Sequence, residues 1–286
     1  MMRLLHWVLG NPRFREATAF PTTWGEPPKV PVHVGDAAFS VLYSDLGAKF
    51  YELCGSLDAN SHGWEVRSPI STLWALPDQE TDMNTCTAEG DSSSLRWRWL
   101  RAEDLEAVWK EDARTMRLEV AMWSEHHAEG KNRMACAFSP TNGVAAFQVQ
   151  RTVDTTVPGD PLPTKIWGVQ LVEAGGAPLV YASWTVELKG PGPRSLIVTR
   201  LRASPEHFSS LLEHIIAAAR SLQAQVVEIW NLDPALGDVA QVTGGQTVIR
   251  GEHLPSFAWY GSDRRENVLW AFNERSVLYS CRMFAS

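Results

Sequence analysis

Cysteine is scarce in this chain, and the scarcity excludes whole classes of protein. The four cysteines (Cys54, Cys86, Cys136, Cys281) are widely scattered, with no Cys-x-x-Cys pair. A disulfide framework or a thiolate zinc site has no basis, and the pattern predicts idle thiols in a reducing compartment. Long apolar runs are missing too: nothing approaches the ~20 residues of a membrane span. The apolar stretch Leu4 to Leu9 is too short for a secretory leader, and no small-residue cleavage site follows it, so the expected location is cytoplasmic. Positive charge is in deficit, with 26 Lys and Arg against 33 Asp and Glu and a net charge of −7. That excludes the basic face that a nucleic-acid or anionic-membrane partner needs, and it suits a cationic substrate.

Several chemical signatures are also absent. There is no Gly-x-Ser-x-Gly elbow, no phosphate loop ending in Gly-Lys-Ser/Thr, and no Gly-x-Gly-x-x-Gly dinucleotide fingerprint. His126 and His127 are adjacent, so on a helix they point apart. His207 and His214 lie two turns apart, roughly 10 Å along a helix axis. No metal site is expected. What the chain has in plenty is tryptophan, 13 residues. They are dispersed rather than clustered, which reads as core and not as a sugar-stacking platform.

The length and the 44% apolar composition allow one large or two ordinary domains with a real core. Met1 to Leu9 reads as a buried helix, apolar around most of its circumference and without a capping residue. Asn11 to Gly35, with five prolines, reads as loop. A strand at Phe39–Tyr43, a short helix through Tyr51 and a strand starting at Gly63-Trp64 follow. Residues 77–94 are polar and form the expected linker. Beyond it, Glu103–Trp123 has helical periodicity. Strands are expected at Met134–Phe138, Val144–Gln150, Lys165–Val172 and Leu179–Glu187. A strand–helix–strand unit then spans Ser195–Leu201, Pro205–Leu222 and Gln225–Trp230, with Ser204 as cap and Pro205 in the first turn. Short strands complete the reading at Phe257–Tyr260, Asn267–Phe272 and Ser276–Met283.

Within the first part, Ser44, Gly47, Phe50-Tyr51 and Gly63-Trp64 fall in a suggestive order. The segment resembles the second half of a GNAT acetyltransferase core, where a polar residue, a small residue three on, a Phe-Tyr or Tyr-Tyr pair and a Gly-aromatic pair follow one another. Ser stands for the usual Asn and Gly for the usual Ala, and an insertion (Ser56 to His62) precedes Gly63-Trp64. The wording Leu5-His6-Trp7-Val8-Leu9 and Leu42-Tyr43-Ser44-Asp45 more narrowly resembles the fungal GNAT-type lysine N-acetyltransferase-like family. Ile229-Trp230-Asn231-Leu232, Leu254-Pro255-Ser256-Phe257-Ala258-Trp259-Tyr260-Gly261 and Asn273-Glu274 extend that likeness toward the C-terminus.

The resemblance implies an α+β fold, with GNAT-like mixed sheets flanked by helices. Residues 1–76 would be the C-terminal part of an acetyl-CoA-binding domain, truncated at its N-terminus, and 95–286 a second, diverged GNAT-like domain. It implies acetyl-CoA as cosubstrate and a small amine as acceptor, a lysine side chain or free lysine. By position Tyr51 would be the general acid toward the leaving thiolate, with Ser44 and Phe50 on the cofactor side. A phenol is a donor at neutral pH, so the chemistry is sensible. Plain alternatives stand beside each: Tyr51 packing with Phe50 against the sheet, and Ser44 capping a turn. The general base stays open among Asp45, Glu52 and Glu65. No pyrophosphate loop of the form Arg/Gln-x-x-Gly-x-Gly/Ala occurs. In the second domain Arg202-Ala203-Ser204-Pro205 stands where such a loop belongs, without glycine and with a proline that lacks an N–H. The rival reading is therefore a non-catalytic remnant or binding protein.

Overall fold

Phe39–Ser44 (β1) is a run of β-branched, aromatic and serine residues that suits a half-buried pleated surface. It ends in a turn at Gly47, whose φ of 77° favours glycine, and a short helix follows at Ala48–Glu52 (α1). Next come two strands, Glu65–Val66 (β2) and Ile70–Ala75 (β3). In this computed structural model the described residues are 7–8, 20, 22–32, 37–54, 63–77, 95–125, 134–155, 164–172, 178–187, 192–260 and 267–273. All but the first residue of the linker expected at 77–94, the strand expected at Ser276–Met283 and most of the helix expected at Met1–Leu9 lie outside them. Trp7 packs edge-on against Phe20, with ring centroids 5.1 Å apart.

The second part runs Arg96–Leu100 (β4), Ala102–Glu125 (α2), Met134–Cys136 (β5), Ala146–Thr155 (α3), Gly168–Val172 (β6), Tyr181–Glu187 (β7) and Ser195–Arg202 (β8). It continues with Pro205–Ser221 (α4), Val226–Trp230 (β9), Gly237–Val242 (α5), Gln246–Ile249 (β10), Leu254–Trp259 (β11) and Val268–Trp270 (β12). Seven strands form one sheet in the order β10-β3-β9-β8-β7-β6-β4, three form another as β1-β11-β2, and β5 pairs in parallel with β12. These are mixed sheets flanked by helices, a GNAT-like α+β architecture. Val144–Gln150, expected as a strand, is instead the end of a turn (144–145) and the first half of α3. Its buried positions Ala145, Gln148 and Val149 follow helical spacing, so the alternation seen in the sequence is the wrong period.

Helix α4 covers one face of the large sheet. Phe208, Leu211, Leu212 and Ile215 are fully buried in a core that includes Leu196, Val198, Val227 and Ile229. Each such side chain contributes roughly 1.5–3 kcal/mol by leaving water. Helices α2 and α3 cover the other face, where alternate residues of β7 (Tyr181, Ser183, Thr185) meet Asp112, Trp109 and Thr152 through polar contacts.

The two parts of the chain complete each other's sheets. Strands β1 and β2 run parallel and leave a slot one strand wide, which β11 fills antiparallel to both. Strands β9 and β10 leave the same slot, filled antiparallel by β3. The seven-stranded sheet is therefore not built from residues 95–286 alone: Ile70–Ala75 is one of its inner strands. The reason is main-chain hydrogen bonding, since an open slot would strand two rows of donors and acceptors. Where the exchanged segments cross, the Arg67 N–H donates to the Pro255 carbonyl at 2.8 Å and the Arg250 N–H to the Pro69 carbonyl at 2.7 Å. Each exchanged strand also delivers an aromatic anchor. Trp74, at the end of β3, is 2% exposed and packs 6.3 Å from Phe208; Tyr260, just after β11, is 2% exposed in a cluster with Trp64. Gly245 is required at this junction, because a Cβ there would sit 2.8 Å from the Trp74 ring.

Candidate active site

Ser44 closes β1 opposite Leu254 of β11 and is buried. Its hydroxyl accepts the Leu46 N–H at 3.0 Å, so the side chain shapes the turn into α1. Tyr51, one turn into α1, is half-buried. Its ring meets Phe50 edge-on at 4.9 Å and Trp64 at 6.4 Å, and its carbonyl accepts the N–H groups of Cys54 and Trp64. Phe50 stays half exposed. Beneath them lies a buried polar knot. The Trp64 indole donates to the Ser40 hydroxyl at 2.9 Å, and that hydroxyl shares a 2.7 Å hydrogen bond with the Tyr260 phenol. Burial pushes the Tyr260 phenol up to about 12, only partly offset by Ser40.

At the other end of the turn, Asp45 reaches the crossing segment of the second part. Its Oδ1 accepts the main-chain N–H of His253 at 2.8 Å and lies 2.9 Å from the His253 ring Nδ1. The ring stacks on Trp230 with centroids 6.3 Å apart, and Tyr43 lies 6.0 Å from the same indole. The Arg250 guanidinium sits 3.5 Å over Trp230 and donates to the His253 carbonyl at 2.8 Å. The exit of β1, the end of β9 and the start of β11 thus converge. Of the three carboxylates proposed as bases, Asp45 is engaged by His253, and Glu65 pairs with Arg67 at 2.9 Å. His253 escaped the sequence reading because nothing local marks it.

The second part has the strand–helix–strand unit but a different corner. Pairing of β8 with β9 ends at Val198 and Ile229, while β8 runs on to Arg202 past an irregularity against β7. Arg200 and Arg202, alternate residues of that extension, point at α2. Asp112 of α2, 0% exposed, accepts from the Arg200 Nε at 2.5 Å, the Arg202 Nε at 2.6 Å and the Tyr181 phenol at 2.7 Å. Arg202 also grips both oxygens of Glu119, at 2.8 and 2.9 Å. Burial pushes the Asp112 carboxyl up, yet the charges and hydrogen bonds of Arg200, Arg202 and Tyr181 prevail and hold it below its ordinary value. Neither arginine is left to hold phosphate.

The corner itself does not fit a pyrophosphate. Ser204 marks the helix start as expected, but its hydroxyl shares a hydrogen bond with the His207 Nδ1 at 2.8 Å and caps no main-chain N–H. Pro205 removes one donor, and Ala203 places a Cβ where close backbone approach is needed. The helix α5 of the second part, Gly237–Val242, carries no tyrosine, and its one buried residue is Ala240. His214, the other helical histidine, donates from Nδ1 to the Ser210 carbonyl at 2.8 Å and packs 4.8 Å from Trp97. Among the described residues no group of His, Cys, Asp and Glu could hold a metal ion, and no helix is long and apolar enough to cross a membrane.

Residues 83–278 match the family model described as the LYC1 GNAT-like C-terminal domain. That covers more than half of the chain, and the chain belongs to this family of GNAT-type, N-acetyltransferase-related proteins. No curated protein and no solved structure matches it.

Proposed function

We propose that this chain is a cytoplasmic N-acetyltransferase of the fungal lysine type, moving an acetyl group from acetyl-CoA to a lysine-type amine. Residues 1–76 serve as the C-terminal part of the acetyl-CoA-binding domain, 77–94 as connector, and 95–286 as a diverged domain that lends β11. The observation that carries the reading is the β1-β11-β2 unit, with Ser44 at its turn and Tyr51 on the helix beside it. In this scheme Ser44 and Phe50 flank the pantetheine arm, and the Tyr51 phenol gives its proton to the departing thiolate. The second part has no tyrosine on α5 and no phosphate cradle at Arg202–Pro205, so in this scheme it acts as a partner and not as a second reaction centre. The same missing cradle favours the rival reading, a non-catalytic binding protein.

Two acetyl donors separate these readings. Acetyl-CoA should bind more weakly than micromolar by calorimetry, because the described corner at Arg202–Pro205 offers no set of converging N–H groups for its pyrophosphate. S-acetyl-N-acetylcysteamine, which has the thioester without the pyrophosphate, should acetylate a lysine-type amine with a kcat/KM within about tenfold of acetyl-CoA. Tyr51→Phe should lower kcat more than it raises either donor's KM. No transfer from either donor would leave only the binding-protein reading, and micromolar acetyl-CoA affinity would mean that the cofactor site has been misplaced.

A further inference from the structure

We infer that β10 is a self-association edge, where a second copy of this chain pairs its own β10 antiparallel about a two-fold axis. The seven-stranded sheet has two ends, and they are built differently. At one end β4 reads Arg-Trp-Arg-Trp-Leu, and the exposed Arg96 and Arg98 place like charges on the strand, a common protection of an open edge. At the other end β10 reads Gln-Thr-Val-Ile, without charge or proline, and no bulge breaks its pairing with β3. All four residues are exposed, and among the described residues β10 pairs with β3 alone. Apolar side chains are exposed with it: Ile249 at 82%, Val248 at 39%, and Ile70, opposite Ile249, at 39%.

The main chain shows which groups the edge offers. The Arg250 N–H donates inward to the Pro69 carbonyl at 2.7 Å, in step with the Ile249–Ile70 register. Antiparallel strands alternate, so Gln246 and Val248 also bond toward β3, and the N–H and C=O groups of Thr247 and Ile249 point outward. A two-fold axis through Val248 satisfies all of them, because Thr247 of each copy then exchanges hydrogen bonds with the partner's Ile249. The two Val248 side chains meet at the axis, and β-branched residues fill the central positions.

Charge is the reason the partner is a second copy. With a net charge of −7, two copies repel each other over most of their surface. Gln241 to Ile249 carries no charge at all. Arg250 of each copy falls opposite the partner's Gln246, and its guanidinium is held 3.5 Å over the Trp230 ring. The equivalent axis through Arg98 of β4 would set two guanidinium groups face to face. A two-fold contact needs a surface complementary to itself, and of these two ends β10 has it. The paired strands are short, so the dimer forms only at high concentration.

Sedimentation velocity of the full chain from about 5 to 500 μM should shift from monomer to dimer and stop there. Over the same range amide exchange should slow about fivefold at Thr247 and Ile249 and stay unchanged at Gln246 and Val248. Val248→Lys and Val248→Glu should each remain monomeric, since like charges then meet at the axis, and an equimolar mixture of the two should dimerise again. A folding defect in one variant would not be cured by the other. Wild type that stays monomeric, growth past the dimer, slowing at Gln246 and Val248 instead, or a mixture that associates no more than its components overturns the proposal. Should both Val248 variants fail to fold, Ile249→Lys, at a mostly exposed position, must weaken the dimer about tenfold, and unchanged association refutes it.

Discussion

Asp112 lies on the side of α2 that the apolar periodicity assigns to the core, between Trp109 and Met116, and two arginines reach it there. A carboxylate at such a position is tolerable only while its charge is met. Replacing it with Asn removes the carboxylate that meets both Arg200 and Arg202 in the interior, and Asp112→Asn should cost about 3–5 kcal/mol in denaturant unfolding. The sign of the pH effect follows from the lowered pKa. The ion pair contributes fully above the ordinary carboxylate value of 3.8 and is lost as pH falls through the lower folded value. Wild type should therefore lose stability below about pH 4, and Asp112→Asn should show a flatter acid limb. In the sequence this residue was visible only as a polar interruption of an apolar stripe. Its partners Arg200 and Arg202 sit 88 and 90 residues away, and no local pattern joins them.

At the scale of elements, the exchanged strands are the pieces with most to lose. Trp74 reaches from β3 to Phe208 of α4 and donates its indole N–H to Thr243 beside α5. Trp74→Ala should cost about 3–5 kcal/mol. Its local effect should appear far away in sequence, as faster amide exchange at Gln246–Ile249, the strand that among the described residues pairs with β3 alone. Unchanged protection there would show that β10 is held by something other than β3. The helices α2 and α4 and strands β7 to β9 were legible because their periodicity, Pro205 and the turn residues act within a few positions. Strand β3 was not, since Ile-Ser-Thr-Leu-Trp-Ala is a good strand wherever it pairs, and nothing inside it names the partner.

For the whole molecule, reciprocal exchange predicts that the parts cannot separate without each losing a strand. Cleavage at a protease site introduced within 77–94 should leave the two fragments co-eluting on size exclusion. Unfolding of the nicked protein should remain a single transition whose midpoint now depends on concentration. Two independent transitions, or fragments that part under native conditions, would refute the interlock.

The sequence by itself determined the element types over most of the described chain, the family, and the segment around Tyr51, because propensity, capping and short motifs are local. Tertiary structure alone decided which strand fills which slot, that Asp112 joins Arg200 and Arg202, and that His253 meets Asp45 across 208 residues. These are matters of main-chain pairing and charge burial between distant segments, and their energies exist only once the segments have met.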